Sequence, residues 1–228
     1  MPPSLVNSTK LAAVKAALGD SYIVQFFIEE EFNLKLFIED ECCAPFALYP
    51  GIGEKWSLVR IGNDAAAVAT IVDADIVPAD GIPQIGFDPD YASIFNRVTV
   101  ECDWNSATSK YETARVFERP DSIIANGVRP FTVRSKGLRT SFAGTETLIA
   151  DIASRLLDRY ENGAPKVSAT TYLYKNVLEA GDQISLTSAV IPNLATGVRG
   201  VSAQLNEVVS RGLQFSAGTV KFELMKVG

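Results

Sequence analysis

Histidine is absent from this chain of 228 residues. That absence removes whole classes of chemistry: there is no Ser-His-Asp or Cys-His nucleophile pair, no H-E-x-x-H zinc site and no imidazole general base. Cysteine is sparse and odd in number. Cys42, Cys43 and Cys102 have no C-x-x-C spacing, and adjacent cysteines seldom meet the geometry of a disulfide. They read as small buried apolar residues kept reduced. No apolar run approaches the roughly 18 residues of a membrane span. Met1-Pro2-Pro3-Ser4 lacks the basic and apolar parts of a signal peptide, and without secretion the Asn7-Ser8-Thr9 sequon reads as chance. Positive charge is short as well: 21 Lys+Arg face 27 Asp+Glu, a net −6, the wrong sign for gripping nucleic acid by its phosphates. The chain is expected to be soluble and assembled in cytoplasm.

Nucleotide-loop and hydrolase signatures are missing too. No G-x-x-x-x-G-K-[ST] or G-x-S-x-G occurs, and Gly51-Ile52-Gly53 lacks the third glycine of a dinucleotide loop. What remains is a chain with 47% apolar residues, long enough for one or two domains and for a core that needs neither disulfides nor metals.

The first third reads as a small α+β unit. Asn7-Ser8-Thr9 caps a short helix carrying Leu11, Val14 and Leu18 and stopped by Gly19-Asp20. Ser21 to Ile28 is β-branched and aromatic, hence a buried strand. Glu29-Glu30-Glu31 then places acid where a helix N-terminus favours it. Phe32, Leu34, Leu36, Phe37, Ile38 and Cys43 make that helix largely buried, and it ends before Pro45. Tyr49 to Gly53 reads as a turn and Trp56 to Ile61 as a returning strand.

From Gly62 to Gly137 the pattern is short strands and turns. Ile94, Val98, Val100, Cys102 and Trp104 share one face of a strand and Arg97, Thr99, Glu101 and Asp103 the other, the period of a half-buried strand. Lys110 to Glu118 pairs back across Asn105–Thr108 as a hairpin. Pro120-Asp121-Ser122 opens a helical stub closing at Asn126-Gly127, and Phe131 to Val133 is a strand.

Leu148, Ile149, Ile152, Ala153, Leu156, Leu157 and Tyr160 then form a wide apolar stripe on one helix. Glu146 stands near its start, Arg155 and Arg159 near its end, and Asp151 lies four residues before Arg155. Four strands follow: Val167, Ala169, Thr171 and Leu173; Ile184 and Leu186; Val201, Ala203, Leu205 and Val209; Val220, Phe222 and Leu224. One helix on a curved antiparallel sheet, or a small barrel, buries all these stripes together.

The expected fold class is therefore α+β: mainly antiparallel β, with one long amphipathic helix over 145–161 and a small N-terminal α+β unit. The expected domains are 1–62, a helix-strand-helix-strand unit, and 63–228, a β-rich domain.

Carboxylates are the remaining acid/base candidates. Glu29, Glu30, Glu31, Glu39, Asp40 and Glu41 cluster around the second helix, where dipole compensation and a solvated face explain them better than a glycosidase pair across a cleft. Asp73-Ala74-Asp75 and Asp88-Pro89-Asp90 lack the full calcium-loop run and read as turn acids. Trp56, Trp104, Tyr172 and Tyr174 are candidates for a sugar-stacking platform, although aromatics on strands more often serve core or interface. No catalytic, cofactor or metal residue is assigned, and no cofactor is expected.

Several short signatures recur in order. Asn96-Arg97-Val98-Thr99-Val100 is followed, after a second strand, by Asp121-Ser122-Ile123. Then come Gly137-Leu138, a helix ending Ala153-Ser154-Arg155-Leu156-Leu157-Asp158-Arg159-Tyr160, and Leu178-Glu179-Ala180-Gly181-Asp182-Gln183-Ile184-Ser185-Leu186-Thr187. This order resembles the baseplate-hub and tail-tip proteins of tailed bacteriophages, chiefly over residues 94–228. The resemblance implies a non-catalytic virion structural protein, assembling as a homotrimeric ring at the end of the tail tube. It would contact tube and tip proteins near the DNA path, without specific nucleic-acid binding and without membrane. Family members are usually longer, which implies a piece of a larger tail protein. The strand Val198 to Val209 and the last strand are expected to carry subunit contacts. A glycan-binding module and a carboxylate-based glycosidase are the alternatives.

Overall fold

The computed structural model describes residues 6–18, 25–26, 33–46, 48–52, 56–61 and 66–227. In order, the chain forms α1 (Ser8–Leu18), α2 (Leu34–Phe37), β1 (Leu48–Ile52), β2 (Trp56–Arg60), β3 (Ala69–Val72), β4 (Pro78–Ala79), β5 (Ile82–Pro83) and β6 (Ile85–Asp88). It continues through β7 (Arg97–Asn105), β8 (Lys110–Glu118), α3 (Pro120–Asn126), β9 (Pro130–Arg134) and α4 (Thr145–Tyr160). β10 (Lys166–Tyr172), β11 (Gln183–Pro192), β12 (Arg199–Gln214) and β13 (Thr219–Lys226) complete it. The fold is α+β and mainly β. Of the two forms expected for the sheet it takes the open one, not a closed barrel.

Two compact units result, each discontinuous in sequence. One comprises Met1–Pro50, Lys55–Gly62 and Ile94–Asn162; the other comprises Gly51–Glu54, Asn63–Ser93 and Gly163–Gly228.

In the first unit, α1 starts where expected: Asn7 Oδ1 accepts the Lys10 N–H at 3.0 Å, satisfying one of the helix's orphan donors. The expected stop at Gly19-Asp20, most of the expected strand at 21–28 and the acidic run 29–31 lie outside the described residues. The second helix winds as α only over α2, then as a π-helix over Ile38–Cys43 and a 3₁₀ turn over Ala44–Phe46. Cys43 is buried but Leu36 is 52% exposed, so this helix buries less than its composition suggests. Tyr49-Pro50-Gly51-Ile52 is not a turn: Leu48–Ile52 is a strand of a two-stranded sheet with β2, a setting in which an edge tolerates proline.

The half-buried strand predicted from alternation is β7. Val98, Val100 and Cys102 have no exposed surface, and β8 pairs antiparallel with β7 from Arg97↔Glu118 to Asn105↔Lys110. β9 joins the other side of β7 in parallel. α4 lays Leu148, Ile149, Ile152, Ala153, Leu156 and Leu157 into the same core as Val98, Val100 and Cys102. Burying a side chain of this size contributes about 1.5–3 kcal/mol. On its outer side, Asp151 takes Arg155 at 3.1 Å, the predicted i,i+4 pair, and also Arg60.

The second unit has its own core. Its sheet runs β3-β11-β12-β13-β10-β6, antiparallel except for β3 against β11. Ile184, Leu186, Val220, Phe222 and Leu224 are fully buried and pack with Ile71, Val167, Ala169 and Val208. The expectation that α4 covers these late strands is therefore overturned: its stripe meets β7, whose alternation is just as apolar and lies earlier in the chain.

β12 also departs from its predicted face. Ala203 is exposed and Leu205 half-buried, whereas Asn206, Glu207 and Val208 are buried. Ala203 has φ +50°, and it sits where the ladder to β11 slips between the Leu186–Gln204 and Ser188–Val201 pairs. Such a bulge hands the core to the other set of side chains.

Candidate assembly surfaces

Most side chains singled out in the sequence are consumed by the frame. Asn96 is fully buried. Its Nδ2 donates to Gly127 O (2.8 Å) and Ser122 Oγ (3.3 Å), and its Oδ1 accepts the Arg129 N–H (2.8 Å). Ser122 in turn donates to the carbonyl of Glu161 at the end of α4. The N-x-V-x-V and Asp-Ser-Ile signatures are thus two halves of one joint. Gly181-Asp182 is another: Gly181 has φ +87°, Asp182 Oδ2 accepts the Glu179 N–H (2.8 Å), and the Asp182 N–H returns to Glu179 O (3.0 Å).

Five of the acidic candidates are engaged in the same way. Glu41 accepts the Lys136 N–H at 3.2 Å. Asp73 accepts the Ala189 N–H at 2.9 Å. Asp75 binds Tyr174 Oη (2.5 Å), the Val72 N–H (2.9 Å) and Lys175 Nζ (3.0 Å). Burial alone would raise the Asp75 carboxyl, but these bonds outweigh it and hold it below its ordinary value. Asp88 accepts the Asp90 N–H (2.9 Å) and Asp90 pairs with Lys166 (2.7 Å). Asp73, Asp75, Asp88 and Asp90 are thus turn acids, each with a structural partner, while Glu41 does the same from its helix.

The aromatic candidates are divided between the two units. Trp104 belongs to the first unit, tilted against Tyr111 at 4.9 Å with Lys136 Nζ over its ring at 5.1 Å. Tyr172 and Tyr174 belong to the second. Their rings lie near-parallel, 6.2 Å apart, 40% and 60% exposed. The side chain of Trp56 is outside the described residues. Glu207, which the sequence reading passed over, is fully buried opposite Gln183, and loss of water pushes its carboxyl up to about 8.

The strands expected to carry subunit contacts are interior ones. β13 lies between β12 and β10, and β12 between β11 and β13, so their backbone groups are taken along most of their length. The edges lie elsewhere. β3 and β6 bound the large sheet, and each is four residues long, a common way to blunt an edge. The three-stranded sheet is bounded by β9, which starts with Pro130, and by β8. β8 is nine residues long and exposes most of its side chains. Exposed apolar residues also sit at the β12–β13 tip (Leu213, Phe215) and in the β11–β12 turn (Leu194, Val198). No helix among the described residues is long and apolar enough to cross a membrane.

No family model and no curated protein matches the chain. Among solved structures it is similar to a chain of the virion of a native gene transfer agent particle (14% identity, TM-score 0.49, 77% of this chain and 34% of that one). It is also similar to a tail protein from Neisseria meningitidis MC58 (14%, TM-score 0.46, 80% and 51%). A prophage tail protein from Listeria monocytogenes EGD-e is a third likeness (12%, TM-score 0.40, 78% and 48%). The chain spans a third to a half of the length of these three.

Proposed function

We propose that this chain is a structural component of a bacteriophage tail, a hub or tail-tip protein that acts by assembly and not by catalysis. One observation carries the reading. The signature residues that resemble the hub family, Asn96, Ser122 and Asp182, all spend their polar groups on internal joints, so what the signatures specify is a frame. A chain without histidine, in which Asp73, Asp75, Asp88 and Asp90 are each tied to a backbone N–H or an ion pair, is equipped to hold shape. In the finer form of the proposal the chain forms a homotrimeric ring at the end of the tail tube, touching tube and tip proteins. Its net −6 would keep passing DNA from adhering, since phosphate binding needs clustered cations. The test is mass spectrometry of purified virions together with antibody labelling in electron micrographs. The chain is expected in the particle, with label at one end of the tail; a chain missing from purified particles sinks the reading.

A glycan-binding role is the second reading, favoured by the exposed near-parallel pair Tyr172 and Tyr174. It predicts signal on a glycan array that Tyr174→Ala removes.

A further inference from the structure

The two sides of β8 can be assigned from the backbone. The Arg119 N–H donates to Asn96 O at 2.9 Å, continuing the register that sets Arg97 against Glu118 and Val98 against Phe117. Both polar groups of a strand residue point to one side, and the side alternates along the strand. Odd-numbered residues of β8 therefore bond inward to β7. Lys110, Glu112, Ala114, Val116 and Glu118 turn their N–H and C=O outward. Among the described residues no strand takes that outer row, and the side chains of those five residues are exposed. Val116 is 57% exposed, and the strand contains neither proline nor glycine.

We infer that β8 is a self-complementary edge at which a second copy of this chain pairs antiparallel, about a two-fold axis through Ala114. In that register Lys110 faces Glu118 of the second copy, Glu112 faces Val116, and Ala114 faces itself. Outward-turned residues face outward-turned residues, so each of these rungs makes both of its N–H···O bonds and the rungs between them are the non-hydrogen-bonded pairs. The charges agree with the backbone. Glu118 is already paired with Arg97 across β7–β8, and Lys110 of the second copy extends that pair into a row of alternating sign. On the other face Tyr111 stands opposite Phe117, a favourable cross-strand pair.

Charge also selects the register. Slipping by two residues in one direction sets Glu112 against Glu118; slipping in the other separates Lys110 from Glu118. Charged side chains on an edge strand usually guard it against pairing. Here the guard repels other registers and fits its own two-fold image. The contact is one strand wide, in the size class of transient interfaces, so a reversible dimer of the free protein is expected. The pairing follows from β8 alone and does not rest on the tail reading.

Sedimentation velocity of the full chain over a concentration series tests it. Wild type is expected to run as a monomer–dimer equilibrium. Ala114→Pro deletes the outward N–H at the axis while leaving the β7 ladder intact, and is expected to weaken dimerisation at least ten-fold with circular dichroism unchanged. Lys110→Glu and Glu118→Lys are each expected to be monomeric alone, because each sets like charges opposite one another. Mixed together they are expected to form heterodimers, because both rungs then carry opposite charges; a misfolded variant would not regain pairing this way. A strictly monomeric wild type overturns the pairing. So does any oligomer, trimer included, that Ala114→Pro leaves unchanged, and that result leaves the tail reading to the virion test.

Discussion

Gln183 stands directly opposite Glu207 in the β11–β12 ladder, and both are buried, Glu207 completely. Burial pushes the Glu207 carboxyl from 4.5 up to about 8, so the folded chain holds a proton there at pH 7 that the unfolded chain releases above about pH 4.5. Between those values the native state binds more protons. Stability must therefore fall as pH rises from 4.5 to 8, by up to about 1.4 kcal/mol per pH unit from this group, and level off above. Glu207→Gln removes the titration. Thermal melts are expected to show the variant gaining on wild type steadily from pH 5 to pH 8; parallel pH profiles would refute the assignment.

Asn96 makes three bonds with one buried amide. Asn96→Ala removes the partner of the Arg129 N–H and of the Gly127 carbonyl, each lost bond costing about 0.5–1.5 kcal/mol. Urea denaturation is expected to show a lower midpoint with an unchanged slope. A midpoint equal to wild type would mean the joint contributes nothing.

Ile152 is 1% exposed in the core shared by α4 and β7. Ile152→Ala should cost about 2–5 kcal/mol. Tryptophan fluorescence reads it, because Trp56 and Trp104 both fall within the unit that holds α4. An unfolding midpoint that stays in place would contradict the helix-on-hairpin packing.

Burial pushes the thiols of Cys43 and Cys102 up to about 11, and that of Cys42 upward too, with help from Glu41. At pH 8 the thiolate is the minor form of all three, and the thiolate is what reacts. With an aromatic disulfide reagent, Cys42 is expected to react slowly, Cys43 and Cys102 only in denaturant. Three fast equivalents from native protein would rule this packing out.

Much of this architecture is legible in the residues. β7, β10, β11 and β13 follow from alternation, α4 from its stripe, and the Gly181 turn from its dipeptide, because each is decided within a few positions. Partner choice is not local. The apolar face of α4 fits the stripe of Val98, Val100 and Cys102 as well as that of Phe222 and Leu224, and only the three-dimensional path assigns it. The parallel joins of β9 to β7 and β3 to β11 leave no mark in either strand's own composition. The face of β12 is lost to a single residue, Ala203, whose left-handed backbone no glycine announces. Glu207 is hidden for the same reason. Nothing next to a glutamate in a strand declares that the strand has rolled over. The free edge of β8 is readable as charge order only once the neighbour on its other side is known.

Asp88 lies opposite Lys166 where β6 meets β10, yet the whole of 89–165 separates them. During synthesis β3 and β6 leave the ribosome long before any strand of their own sheet exists to receive them. The β7–β8 hairpin and α4 emerge together and close their contacts first. The large sheet is then completed only once β13, one of its two central strands, has been made. Long-range pairing of this kind is slow and leaves strands open to wrong partners. A chain cut short before Thr219 is expected to keep a folded helix-and-hairpin unit while β3 and β6 remain without their sheet, which makes Thr219–Lys226 the strand that commits the large sheet.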